Sequence, residues 1–179
     1  MSHELVSPWA EFLEEFDTLL DERFVLHCIG GFAVVAAYGL PRSTNDLDYY
    51  SLIPANRTGY FEELAGAGST LARKYKVHIH SARVTSLPEN YDERLTRLFP
   101  GRFKNLGLFV PDPYDLALSK LSRNAEVDRE DVKYLAATQN LRAEVLRERF
   151  EREYIAIGPP ERDKNTLAFW IEAYFSSDD

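Results

Sequence analysis

Strand and helix patterns alternate through the first 110 residues of the chain and stop at Pro111, beyond which only helical periodicity remains. A chain ordered in this way lays helices against a small sheet and then adds a helical layer, because every element has one apolar face to bury. The short apolar runs Phe24–Ile29, 47–53, 77–84 and Leu106–Val110 read as strands. Helices are expected over residues 7–20, with Ser7 as the cap and Pro8 in the first position, over 32–38, closed by Gly39 and Pro41, and over 60–75. Beyond Pro111 they are expected over 113–123, 128–138, 142–154 and 164–175. In the last of these, Leu167, Trp170, Ile171 and Tyr174 share one face, which suits packing better than ligand binding. The fold class is therefore α+β: a small mixed sheet flanked by helices, followed by a C-terminal helical region. Residues 1–111 are expected to form the α/β core, and residues 112–179 a helical part packed on it as a single structural unit.

Composition narrows the function classes. Of 179 residues 45% are hydrophobic, enough for a packed core, so disorder is excluded as the main state. No apolar run approaches the ~18 residues a membrane span needs, and the first 15 residues lack the pattern of a cleaved signal, so a cytoplasmic protein without membrane partners is expected. Cys28 is the one cysteine, which rules out an internal disulfide and a thiolate zinc site. A formal charge of −8 argues against a protein that coats nucleic acid, but leaves room for a local basic patch. Residues 83–105 offer one: Arg83, Arg94, Arg97, Arg102 and Lys104 are interleaved with Tyr91, Phe99 and Phe103. Such a stretch could grip a single-stranded RNA end through phosphates and stacking. The plainer reading, a loop whose arginines pair with nearby acids, carries more weight.

Chemistry is concentrated in GGFAVVAAYGLPRSTNDLDYY, residues 30–50. Gly30 and Gly31 fall between a strand and a helix, where backbone without Cβ can approach a phosphate and helix-start amides can donate to it. Asp46 and Asp48 open the next strand, one residue apart, so both carboxylates project from one face. Side by side they repel unless a cation sits between them, and hard oxygen donors suit Mg²⁺ bridging to substrate phosphates. Arg42 could pair with a phosphate or orient an Asp, and Thr44 could hydrogen-bond the turn.

This string resembles the first motif of the polymerase-β-like nucleotidyltransferase superfamily, and most closely the branch of AbiEii-type toxins and DUF6036 nucleotidyltransferases. The matching positions are Gly30, Gly31, Arg42, Thr44, Asp46, Leu47 and Asp48. A second match lies in PDPYDLALSKLSRNAEVDREDVKYL, residues 111–135, at Lys120, Asp128 and Asp131. The resemblance implies transfer of a nucleotidyl group from an NTP to an acceptor, with Mg²⁺ as cofactor. Asp46 and Asp48 would be catalytic and hold the metal. Gly30, Gly31, Arg42 and Thr44 would bind substrate, Lys120 would reach a phosphate as a mobile point charge, and Asp128 would assist. The branch further implies an RNA acceptor such as tRNA, or a protein, and an antitoxin as partner. Asp128 also stands where it can cap a helix, as do Asp112 and Asp115 around Pro113.

The chain departs from the superfamily in two ways. Gly-Gly replaces the common Gly-Ser, and the strand expected over 77–84 has no third carboxylate. It offers His78 and His80 instead, a pair more in keeping with a half-buried strand than with a metal site. These departures sustain the alternative of a catalytically inactive nucleotide- or partner-binding module on the same fold.

Overall fold

A computed structural model describes residues 4–82 and 85–175. Two compact units emerge. Among the described residues, 4–82 and 95–110 form the first, and 85–94 and 111–175 the second.

The first unit is built on a five-stranded mixed sheet in the order β3-β2-β1-β5-β4. Its strands are β1 (Phe24–Ile29), β2 (Asp46–Ile53), β3 (His78–Ser81), β4 (Thr96–Leu98) and β5 (Leu106–Val110). β1 runs antiparallel to β2 and parallel to β5, β2 runs parallel to β3, and β4 returns antiparallel along β5. The helices are α1 (Trp9–Leu19), α2 (Gly30–Tyr38), α3 (Thr58–Ala65) and α4 (Thr70–Tyr75). Phe12 and Phe16 of α1, Phe24 of β1, Phe32 of α2 and Phe61 of α3 are buried. Phe61 meets Phe16 edge-on at 4.8 Å between ring centroids, and meets Phe24 and Tyr49 as well. These large rings account for much of the apolar area the unit removes from water. Asp17 ties α1 to the start of β5, its carboxylate accepting the backbone N–H groups of Asn105 and Leu106 at 2.7 Å each.

The second unit carries α5 (Pro113–Leu118), α6 (Glu126–Thr138), α7 (Ala143–Glu153) and α8 (Pro160–Tyr174). Leu167, Trp170 and Ile171 of α8 are buried, as the face read from the sequence requires. Trp170 donates its indole N–H to Asn124 Oδ1 at 3.3 Å. Asp112 caps α5 by accepting the Asp115 N–H at 2.9 Å.

Local chemistry moved several expected boundaries. Ser7 does not cap α1; Pro8 occupies that position and the helix begins at Trp9. The single helix expected over 60–75 is two, because the chain turns at Gly66, where a methyl group would lie 2.5 Å from the Glu62 carbonyl oxygen. Ser69 then caps α4 by accepting the Ala72 N–H. The third strand spans four residues, and part of the range expected for it, 83–84, lies outside the described residues. The three residues of β4 carry too short a pattern for periodicity to reveal. The alternating charges of residues 142–153 suggest a solvated helix face, yet Arg149 of α7 turns inward to Asp112 and Asp115.

Candidate active site

In the first unit, β1 ends at Ile29 opposite Asp48 of β2, so the chain enters α2 beside the Asp48 side chain. Gly30 makes that approach possible. Its φ is +69°, and a methyl group there would lie 2.6 Å from Asp48 Oδ2 and 3.2 Å from Asp48 Cβ. Gly31 is used in the same way, since a methyl group on it would lie 2.6 Å from the Arg42 guanidinium. The first glycine accommodates a carboxylate and the second a guanidinium. Gly39, at φ +74°, closes α2 in the left-handed conformation expected of a C-terminal glycine.

The loop between α2 and β2 is fixed from α1. Trp9 donates its indole N–H to the Thr44 carbonyl at 3.0 Å, and the Thr44 hydroxyl lies 3.0 Å from the Asp46 carbonyl oxygen and 3.1 Å from Asp46 Oδ1. Thr44 thereby sets both the turn into β2 and the side chain that opens it. Asp46 is exposed and Asp48 half-buried, while Leu47 between them is buried among apolar residues. That alternation is the period-two signature of a strand.

The parallel pairing of β2 with β3 sets Asp46 beside His78 and Asp48 beside His80. His80 Nδ1 stands 3.1 Å from Asp48 Oδ1. Gly30, Gly31, Arg42, Thr44, Asp46 and Asp48 thus gather at one end of the sheet, with a histidine that sequence reasoning had set apart as a strand feature. The signal for it was the shared one-residue spacing of DxD and HxH on strands that could pair in register.

Among the described residues, no group of three or more His, Cys, Asp or Glu side chains could by itself hold a metal ion. The donor set nevertheless fits Mg²⁺. Two carboxylates start one strand and project from one face, and Gly30, without a Cβ, lets the backbone lie against the second of them. An ion held by so few protein donors completes its shell with water and substrate oxygens, which is the usual habit of Mg²⁺.

The second unit gathers Lys120, Asp128 and Asp131. Lys120 is 3% exposed, with its ammonium 2.8 Å from Asp131 Oδ2 and 3.6 Å from Asp128 Oδ1. Asp128 also accepts two bonds from Arg123 and the Ala125 N–H at 3.0 Å, so it does cap the start of α6. Burial pushes its carboxyl up, but the Arg123 hydrogen bond and the Lys120 charge outweigh that and hold it below the usual carboxylate range. The expected mobile ammonium is instead a buried, doubly faced cation.

Two arginines of the basic segment pair with acids, as the plainer reading of it expects. Phe99 and Phe103 are buried and meet edge-on at 6.5 Å. Arg102 pairs with Glu14 in the first unit, and Arg94 pairs with Asp115 and Glu153 in the second. Arg83 lies outside the described residues. Burial raises the Asp115 carboxyl, even though Arg94 and Arg149 both bond to it.

No helix among the described residues is long and apolar enough to cross a membrane. No curated protein and no solved structure matches the chain. Residues 9–177 match a family described as a nucleotidyltransferase of unknown function, DUF6036, a span that takes in both the glycine–aspartate site and the buried lysine network. The chain belongs to that nucleotidyltransferase family, and a nucleotide is accordingly its substrate class.

Proposed function

We propose that the protein transfers a nucleotidyl group from an NTP to an acceptor hydroxyl, on an RNA such as tRNA or on a protein, in a Mg²⁺-dependent reaction. We further propose that it acts as the toxin of a toxin–antitoxin pair. One observation carries the nucleotide half of this reading: the fit of Gly30 against the Asp48 carboxylate and of Gly31 against Arg42. Such a fit brings backbone at a strand-to-helix turn against a carboxylate and a guanidinium, which supports a phosphate and cation site there. The acceptor and the toxin role rest on the family resemblance. Since Phe99 and Phe103 are buried and Arg94 and Arg102 are paired, an RNA acceptor would be held by other residues.

Each residue has a separable task. Asp46 and Asp48 would hold the cation, with Thr44 fixing the first carboxylate. Arg42 and the amides of Gly30 and Gly31 would bind triphosphate oxygens, offering positive charge and donors where negative charge builds on the leaving pyrophosphate. Mg²⁺, when bound, neutralises phosphate charge and aligns the acceptor oxygen for in-line attack. Lys120 and Asp128 keep the catalytic share that the resemblance gives them.

The decisive experiment pairs Asp46→Ala with Asp48→Ala and follows pyrophosphate release with each labelled NTP against total RNA and cell extract. The double variant should remain folded and lose the reaction. Full activity in it would overturn the proposal. A second reading, an inactive nucleotide-binding module, is favoured by β3, which carries His78 and His80 and no acid. It predicts thermal stabilisation by Mg²⁺·NTP with no pyrophosphate released under any acceptor.

A further inference from the structure

β3 is the outermost strand of the sheet, and the described residues supply no strand on its far side. The His78 N–H donates to the Asn45 carbonyl and the Ala82 N–H to the Tyr49 carbonyl, so both residues face β2. By the alternation of a ladder, Ile79 and Ser81 between them turn their N–H and C=O groups outward. Such a free edge is a template for one more strand. A cleft of about 450 Å³ runs along it, walled by Glu62 and Glu63 of α3 and by the turn from Gly66 to Ser69. The cleft reaches both faces of the sheet. The Tyr49 hydroxyl donates to Glu62 Oε1 at 3.3 Å and the Tyr49 ring meets Phe61, so α3 lies on the Tyr49 face. Asp48, the neighbour of Tyr49, projects from the opposite face, where His80 touches it. The lining thus carries two carboxylates on one side of the strand edge and, across it, a histidine that borders the candidate active site. Glu63 is exposed and has no ion-pair partner among the described residues, and no lysine or arginine lines the cleft.

Resting on the nucleotidyltransferase reading, we propose that this cleft holds the acceptor, and that the acceptor is a protein segment docked as an extended strand along β3, with a basic residue next to its hydroxyl-bearing one. The backbone of the segment pairs with the outward groups of Ile79 and Ser81, which gives affinity without regard to sequence. Sequence preference comes from the side chains. Neighbours on a strand project to opposite faces. A lysine or arginine therefore meets Glu62 and Glu63, while the adjacent serine, threonine or tyrosine lies beside His80, on the face of Asp48. In the transfer, the hydroxyl oxygen of that residue bonds to the α-phosphorus of the NTP. The bond from that phosphorus to the bridging oxygen breaks, pyrophosphate leaves with the electron pair, and the hydroxyl proton passes to solvent water. RNA suits the cleft poorly, because its phosphates would meet Glu62 and Glu63 and its backbone has no N–H and C=O pattern to match a strand edge.

The test is transfer of label from α-labelled NTPs to degenerate synthetic peptides with a central Ser, Thr or Tyr, in which one flanking position at a time is fixed as Arg or Glu. Total RNA and cell extract serve as the competing acceptors. With the full-length protein, Arg next to the hydroxyl residue should give about tenfold more label than Glu there, the combined effect of an attraction and a repulsion at exposed carboxylates. Arg two residues away should give no such preference. Methylating alternate peptide nitrogens should abolish labelling in the one phase that faces β3 and spare it in the other. Glu62→Gln together with Glu63→Gln should bring the Arg/Glu ratio close to one, and circular dichroism checks that the fold is intact. A ratio unchanged in the double variant, or labelling indifferent to methylation, would overturn this inference. So would labelled RNA with unlabelled peptides, or pyrophosphate released with extract while no peptide is labelled. Each of those results leaves the nucleotidyltransferase reading standing, whereas no pyrophosphate with any acceptor would remove both.

Discussion

Gly30→Ala isolates the close approach on which the site depends. Two costs arise and they are separable. The first is backbone: φ at Gly30 is +69°, and an alanine held there loses about 1–2 kcal/mol. At roughly 2–4 °C of melting temperature per kcal/mol for a chain of this size, Tm should fall by about 2–8 °C. The second is local: the new methyl would meet Asp48 Oδ2 at 2.6 Å, with Asp48 Cβ and Cγ at 3.2 and 3.3 Å. The whole Asp48 side chain must give way, and relief to ordinary van der Waals contact requires about 0.8 Å. A misplacement near 1 Å at a reacting centre costs about 100-fold in rate. Gly101→Ala supplies the control, because Gly101 also has positive φ, +81°, with nothing within 4 Å of the added methyl. Differential scanning fluorimetry should show similar losses of Tm in both variants. Pyrophosphate release, and the Tm increment given by Mg²⁺·NTP, should collapse in Gly30→Ala and persist in Gly101→Ala. Equal retention of both signals in the two variants would show that Gly30 is a turn residue and no part of the site.

Four further outcomes follow from the same geometry. Lys120→Ala leaves Asp131 and Asp128 buried without their shared cation, and should cost about 3–5 kcal/mol in urea unfolding; a loss under 1 kcal/mol would mean the ammonium is not buried as described. The Asp128 carboxyl lies below its unfolded value, so its stabilisation is complete above about pH 4 and is lost as the pH falls through the folded-state value. Asp128→Asn should accordingly flatten the decline of Tm below about pH 4, and parallel curves for parent and variant would refute the assignment. Thr44→Val should weaken Mg²⁺·NTP binding with little change in Tm, since the hydroxyl that reaches Asp46 is exposed; unchanged binding would remove Thr44 from the site. Burial pushes the Cys28 thiol well above its usual range, so a disulfide reagent should label it only at the rate of unfolding, and rapid labelling of the native protein would contradict its place in β1.

The parts of this fold that were legible in the sequence are those governed by local chemistry. β1 and β5 are short, largely apolar runs closed by Gly30 and Pro111, and both were located to the residue. Gly39 stops α2 because the left-handed conformation is cheap only for glycine, and that stop was equally plain. Failures came where a distant partner decides. Arg149 belongs to an apparently solvated helix until Asp112 and Asp115 draw it inward. Phe99 and Phe103 look like stacking platforms in a list of residues and prove to be packed against each other. The clustering of the first motif could be foreseen because both Asp residues lie on one strand. The contact of His80 with Asp48 was missed: the matched spacing of DxD and HxH allows it, but the register between two strands about thirty residues apart decides it.

The contrast between the two acidic motifs bears on where chemistry resides. Asp128 and Asp131 are buried, and each already faces a cation supplied by the chain: Lys120 for both, and Arg123 for Asp128. Removing such charges from water is costly, and the partners that offset the cost also fix the arrangement. Asp46 and Asp48 are more accessible. One is exposed and the other half-buried, with a hydroxyl against Asp46 and an imidazole and Gly30 against Asp48. In the proposed reaction, a carboxylate pair that takes up and releases a divalent ion with each nucleotide needs that accessibility. The two motifs thus invite opposite responses to Asp→Asn substitution. In the second motif stability should fall first, and activity with it. In the first, stability should be spared and activity lost, and a large drop in Tm for Asp46→Asn would mean that its carboxylate serves the fold.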